Sequence, residues 1–108
     1  MEAGALIKAI GEPMRYQILC LLLERRHCVR SLSRQLGVSE SAISQHLKVM
    51  RDVGLVSGEK YGHHTHYSPL PKAMELLAQT FETMCRQSQA LDRSSTVCQC
   101  AWKAGEET

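Results

Sequence analysis

No run of apolar residues in this chain approaches the roughly 18 needed to cross a bilayer, so no membrane span is expected. The opening Met-Glu-Ala-Gly-Ala-Leu has no basic stretch, and a secretory signal is not expected either. There is no Cys-x-x-Cys, the pattern a thiol oxidoreductase usually places at a helix N-terminus. No glycine-rich loop offers a cradle for phosphates, and no nucleophile stands paired with a base, so the chain does not read as an enzyme. Internal repeats are missing as well. These absences leave a cytoplasmic binding protein. In that compartment five cysteines serve as reduced thiols, metal ligands or redox sensors rather than as a disulfide framework.

What is present is uneven charge. The net charge of the 108 residues is only +2. Residues 25–72 nevertheless carry eight Lys and Arg against three acids, and all five histidines. A basic middle between acidic ends suits a polyanion. The length gives one domain with a modest core, which a partner chain would help to complete.

The most informative stretch runs from Ser39 to Gly54. Ser39 is a good N-cap, Glu40 suits the positive end of the helix dipole, and Gly54 suits a left-handed C-terminal cap. Ile43, Leu47 and Met50 recur at helical spacing and form one apolar stripe. Ser41, Ser44, Gln45 and Lys48 lie opposite, a face read as free of carboxylates. Hydroxyls, an amide and an ammonium are groups that bond to phosphates and base edges.

Before it, Ala3, Leu6, Ile7 and Ile10 share a face of a short first helix. Pro13 opens a second helix that runs to about Leu23 or Glu24. Its centre, Ile18 to Leu23, is apolar all round and is expected to be the buried spine. Glu24-Arg25-Arg26-His27 reads as a polar connection. Val29, Leu32 and Leu36 give a third helix closed by Gly37, and only Gly37-Val38-Ser39 separates it from the fourth. Two helices joined by a short turn containing Gly make a helix-turn-helix.

After Gly54, Leu55-Val56-Ser57 and Thr65-His66-Tyr67-Ser68 read as strands of a hairpin turning near Tyr61-Gly62. A last helix follows Pro69 and Pro71, with Met74, Leu77, Phe81, Met84 and Cys85 along one stripe as far as about Leu91. The core can hardly cover both terminal helices, which are therefore expected to form a dimer interface. Residues 1–91 make the domain, and 92–108 read as a flexible tail holding Cys98, Cys100 and Trp102.

Ile10-Gly-Glu-Pro-Met-Arg-Tyr-Gln-Ile-Leu19, Leu36-Gly-Val-Ser39, and Ser41 through Met50 running into Gly54-Leu-Val56 resemble the ArsR/SmtB family of winged-helix repressors. Tyr61-Gly-His-His-Thr-His-Tyr67 resembles the wing. The resemblance covers roughly residues 3–90. It implies a mainly α winged helix-turn-helix, dimeric through its terminal helices, that binds double-stranded operator DNA and releases it to an inducer. It implies that Ser39, Ser41, Ala42, Ser44, Gln45, His46 and Lys48 lie at the major groove. Lys60, His63 and His64 of the wing would lie beside the backbone or minor groove.

The family's metalloid site, a Cys-Val-Cys at the start of the third helix, here reads Cys28-Val29-Arg30, and a guanidinium cannot ligate a cation. Its Asp/His site on the last helix is not expected, because residues 71–91 contain no His. Cys20, after Ile-Leu in the second helix, and Cys85, near the end of the last, resemble the BigR/SqrR/HlyU branch that senses reactive sulfur and oxidants. A thiolate there attacks an electrophilic sulfur and a second thiol resolves the product. Three alternatives stay open. Both cysteines can be inert core residues. Cys85, Cys98 and Cys100 can hold trivalent arsenic or another soft ion. His64 and His66, which share a strand face, can bind a metal. No resident cofactor is expected.

Overall fold

The computed structural model describes residues 1–94 and Cys98. Five helices and one antiparallel hairpin follow in the order α1 (Ala3–Ile10), α2 (Pro13–Glu24), α3 (Val29–Leu36), α4 (Glu40–Asp52), β1 (Val56–Tyr61), β2 (His64–Pro69) and α5 (Pro71–Ala90). The chain is thus mainly α, with α3 and α4 as the helix-turn-helix and the hairpin as the wing.

The boundaries follow from local chemistry. Pro13 occupies the first turn of α2, and the Glu12 side chain caps that helix by accepting the Met14 N–H at 2.7 Å. Gly37 ends α3 in the left-handed conformation at φ 66°. Ser39 caps α4 by accepting the Ala42 N–H at 3.2 Å. At the other end of α4, Gly54 takes φ 83°, the Leu55 N–H reaches the Met50 carbonyl, and the Gly54 N–H reaches that of Arg51. This is the Schellman arrangement, completed by the buried side chains of Met50 and Leu55. Leu55 also accepts the Leu70 N–H at 3.0 Å. One buried residue therefore fastens the end of α4, the root of the wing and the entry to α5.

The core gathers Leu6 and Ala9 of α1, Ile18, Leu19 and Leu22 of α2, Leu32 of α3, and Ile43, Leu47 and Met50 of α4. Leu55, Val56, Ala73 and Leu77 complete it. α1 packs on α2, α4 and α5, and α2 packs on β2. The hairpin register pairs Val56 with Pro69 and Tyr61 with His64, leaving Gly62-His63 as the turn. Gly58 has a steric role: a Cβ there would lie 2.8 Å from Thr65 Cγ2 and 3.0 Å from the Tyr67 ring.

Two expectations change. α2 is not buried on all sides, since Leu23 is 58 % and Tyr16 57 % exposed. An all-apolar helix centre does not say which flank its own chain will cover. His27 is not part of an open polar connection. It is 5 % exposed and exchanges backbone hydrogen bonds with Tyr67, so it adds a one-residue third strand to the wing. Along α5 only Ala73 and Leu77 are buried, and every residue from Phe81 to Ala90 is exposed.

Candidate nucleic-acid interface and sensor thiols

α4 buries Ile43, Leu47 and Met50 completely or nearly so, which turns the opposite flank outward. Ser39, Ser41, Ser44, Gln45 and Lys48 are all exposed, and Ala42 is half-buried. The stripe is not free of carboxylates. Asp52, one turn beyond Lys48, accepts from its Nζ at 3.1 Å. Helical spacing carries 41, 45, 48 and 52 down one flank, so the periodicity already contained this pair. Both side chains are well exposed, and the pair is worth only about 0.3–0.5 kcal/mol. A phosphate can displace Asp52 at little cost.

His46 departs further from expectation. Its Nδ1 lies 3.6 Å from Oε2 of Glu12, at the start of α2, and it does not share the outward stripe. The Glu12 carboxyl is held below its ordinary range, first by the Met14 amide, then by the Arg15 amide and by the charges of His46 and Arg15, against a counteracting loss of solvent.

The wing tip presents Lys60, His63 and His64, all exposed. Register places Glu59, Tyr61, His64 and His66 on one face. That face is held back against the α2–α3 connection. The Arg26 guanidinium lies 5.0 Å from the Tyr61 ring centroid, and its Nη1 donates to the Tyr61 hydroxyl. The hydroxyl donates on to Glu59 Oε2 at 3.1 Å, and the His66 ring meets Tyr61 edge-on at 5.4 Å. Sequence reasoning assigned no role to Arg26 or His27, because both act through partners more than thirty residues away and neither leaves a periodic trace. A cleft of about 330 Å³ separates the wing from the start of α3, lined by Cys28, Arg30, Glu40, His63 and His64 among others.

His27 joins wing and helix-turn-helix a second way, with Nδ1 2.8 Å from Ser31 Oγ of α3. Its imidazole is pushed below its ordinary value by burial and by the Arg25 charge, with Glu24 opposing.

Cys20, Cys28 and Cys85 are free thiols. Cys20 is half-buried on α2, and its thiol, one turn from the Tyr16 phenol, raises the pKa of that phenol. Cys85 stands on the exposed half of α5. No disulfide joins Cys20 to Cys85. Cys98 is exposed, and Cys100 lies outside the described residues. Among the described residues no three His, Cys, Asp or Glu side chains converge as a metal site, on the wing or elsewhere. None of the described helices is long and apolar enough to cross a membrane.

A helix-turn-helix with an outward polar stripe, flanked by a hairpin whose tip is basic, defines a winged helix-turn-helix protein. Residues 12–57 match the family model described as bacterial regulatory protein, arsR family. YgaV of Escherichia coli, an HTH-type transcriptional regulator, is 36 % identical over 84 residues, which cover 77 % of this chain and 85 % of that one. The HTH-type transcriptional repressor SmtB of Mycobacterium tuberculosis is 38 % identical over 65 residues, 60 % of this chain but 48 % of its own. The chain thus spans about half the length of that relative. The structure of reduced HlyU from Vibrio cholerae superposes with a TM-score of 0.63 at 34 % identity, covering 77 % of this chain and 88 % of HlyU. The chain belongs to the ArsR family.

Proposed function

We propose that the protein is a homodimeric transcriptional repressor that binds operator DNA and releases it when Cys20 and Cys85 react with reactive sulfur species or oxidant. The observation that carries the DNA reading is the exposed stripe of Ser41, Ser44, Gln45 and Lys48, set back to back with a fully buried apolar stripe on the same helix. The site extends to Ser39 and Ala42 at the start of α4 and to Lys60, His63 and His64 on the wing. A two-fold dimer presents two such helices to successive major grooves on a near-palindromic site. The unpartnered half of α5 supports the dimer, with Phe81 and Met84 exposed to 45 and 53 % and Leu91, just past the helix end, to 61 %.

The sensing reading rests on chemistry and kinship. Cys20 and Cys85 stand on two different helices, and a relative of this chain is described in its reduced form. One thiol attacks an electrophilic sulfur. The second displaces the outgoing sulfur and closes a disulfide or polysulfide link. A direct disulfide needs Cα atoms within about 7 Å, whereas a longer sulfur chain relaxes that limit.

The test is fluorescence anisotropy on duplex DNA selected from a random pool, with and without polysulfide, followed by mass mapping of added sulfur. Sequence-selective, salt-dependent binding that polysulfide abolishes and dithiol reductant restores is expected. Cys20→Ser and Cys85→Ser should bind normally and not respond. A response that survives both serines moves the sensor elsewhere, and an arsenite response lost with Cys98→Ser or Cys100→Ser would assign it to the tail.

A further inference from the structure

Two kinds of contact hold α4 in place. Its apolar stripe fixes how deeply the helix sits and which flank faces outward, but burial is non-directional and leaves sliding of the helix along its neighbours less tightly specified. On the flank of the stripe stands His46, half-buried, with Nδ1 3.6 Å from Glu12 Oε2. Glu12 is itself immobilised. Oε1 accepts the Met14 N–H at 2.7 Å and Oε2 accepts the Arg15 N–H at 3.4 Å. Arg15 then donates from Nε to the carbonyl of Ala9 at 2.6 Å, in the last turn of α1. The end of α1, the start of α2 and the middle of α4 therefore meet through one chain of polar contacts. α1 also packs on α5, the helix whose apolar face is left open.

We propose that His46 is a positioning residue for operator reading: with Glu12 it forms a strut that fixes where α4 sits against the α1–α2 junction and so sets the distance between the two reading helices of the dimer. This inference rests on reading α4 as the DNA-reading helix of a dimer. Separation of half-sites is a geometric property of such a dimer, so the strut acts on spacing rather than on base preference. It lies off the outward stripe and adds no phosphate contact, so it leaves the salt dependence alone.

The test uses the full-length protein and an operator selected from random duplexes, together with versions one base pair longer or shorter between half-sites. His46→Phe keeps a ring of similar size without a donor. Glu12→Ser keeps an N-cap for α2 but cannot reach His46. Both variants should lose about threefold to fivefold of the wild-type discrimination between correct and altered spacing, the scale of one partly exposed polar pair. The slope of affinity against salt should not change. The double variant should lose no more than either single one, because both remove the same contact. Melting temperature and circular dichroism confirm the fold. Variants that keep the wild-type spacing preference overturn the inference, as does a His46→Phe that changes preference at one base position. If the wild type itself binds no duplex selectively, the DNA reading fails, which is a distinguishable result.

Discussion

Helices α4 and α5 are both amphipathic, yet they resolve their apolar stripes in opposite ways. In α4 the stripe of Ile43, Leu47 and Met50 is wholly inside, and what faces outward is polar apart from Val49. In α5 only the first two turns are covered, and Phe81 and Met84, with Leu91 just past the helix end, face outward. An outward polar stripe costs a protein nothing in water. An outward apolar stripe at helical spacing leaves unfavourable exposure that a second copy of the same surface removes. The first helix is finished within one chain and free to engage something polar. The second is unfinished.

The sharpest way to break that comparison is to charge the open half of α5. Phe81→Asp with Met84→Asp should yield a folded monomer by sedimentation and weaken operator binding by about 100-fold or more, the advantage of joining two modules. Unchanged affinity and mass would mean that α5 is complete as it stands. Next in size is a cavity under α4. Leu47→Ala should cost about 2–5 kcal/mol of unfolding free energy, read by denaturant titration, because Leu47 is 1 % exposed. The outward stripe should behave differently. Gln45→Ala should leave stability within about 0.5 kcal/mol and cost about 1–3 kcal/mol of binding at particular base positions. Lys48→Ala should weaken binding evenly across sequences and reduce the salt slope by about one phosphate's share.

The smallest effect is on pH. Burial depresses the His27 pKa, so the unfolded chain takes up its proton first as pH falls. The stability of the neutral, buried ring is fully present above the ordinary value of 6.5 and declines as pH drops through it toward the depressed folded value. Calorimetric melting temperatures should be level above that point and fall below it. A ring titration of His27 by NMR should have its midpoint under 6.5.

Much of this was legible in the chain itself, for identifiable reasons. Pro13, Gly37, Ser39 and Gly54 mark boundaries because each satisfies or forbids a backbone bond locally, and the structure uses all four where they stand. The Asp52 partner of Lys48 is equally readable from the i, i+4 spacing. Other features depend on partners far along the chain. Which flank of α2 is covered depends on β2 and the neighbouring helices, and a helix centre that is apolar on every side gives no hint. His46 looks like one more polar residue of α4 until Glu12 is folded against it. His27 gains its place through main-chain bonds to Tyr67, and such bonds carry no side-chain signature. For the thiols, the sequence shows which cysteines exist, but not their neighbours.

Leu55 has a mechanical consequence. Its amide is bonded to Met50, its carbonyl takes the amide of Leu70, and its side chain has no access to solvent. Three moving parts hang on a single pin with no slack. If the first turn of α5 swings, either the Leu55–Leu70 bond breaks or the foot of the hairpin and the tail end of α4 are dragged along. A displacement at the start of α5 is thereby geared to the C-terminal end of α4, with no need for a relay of side chains between them.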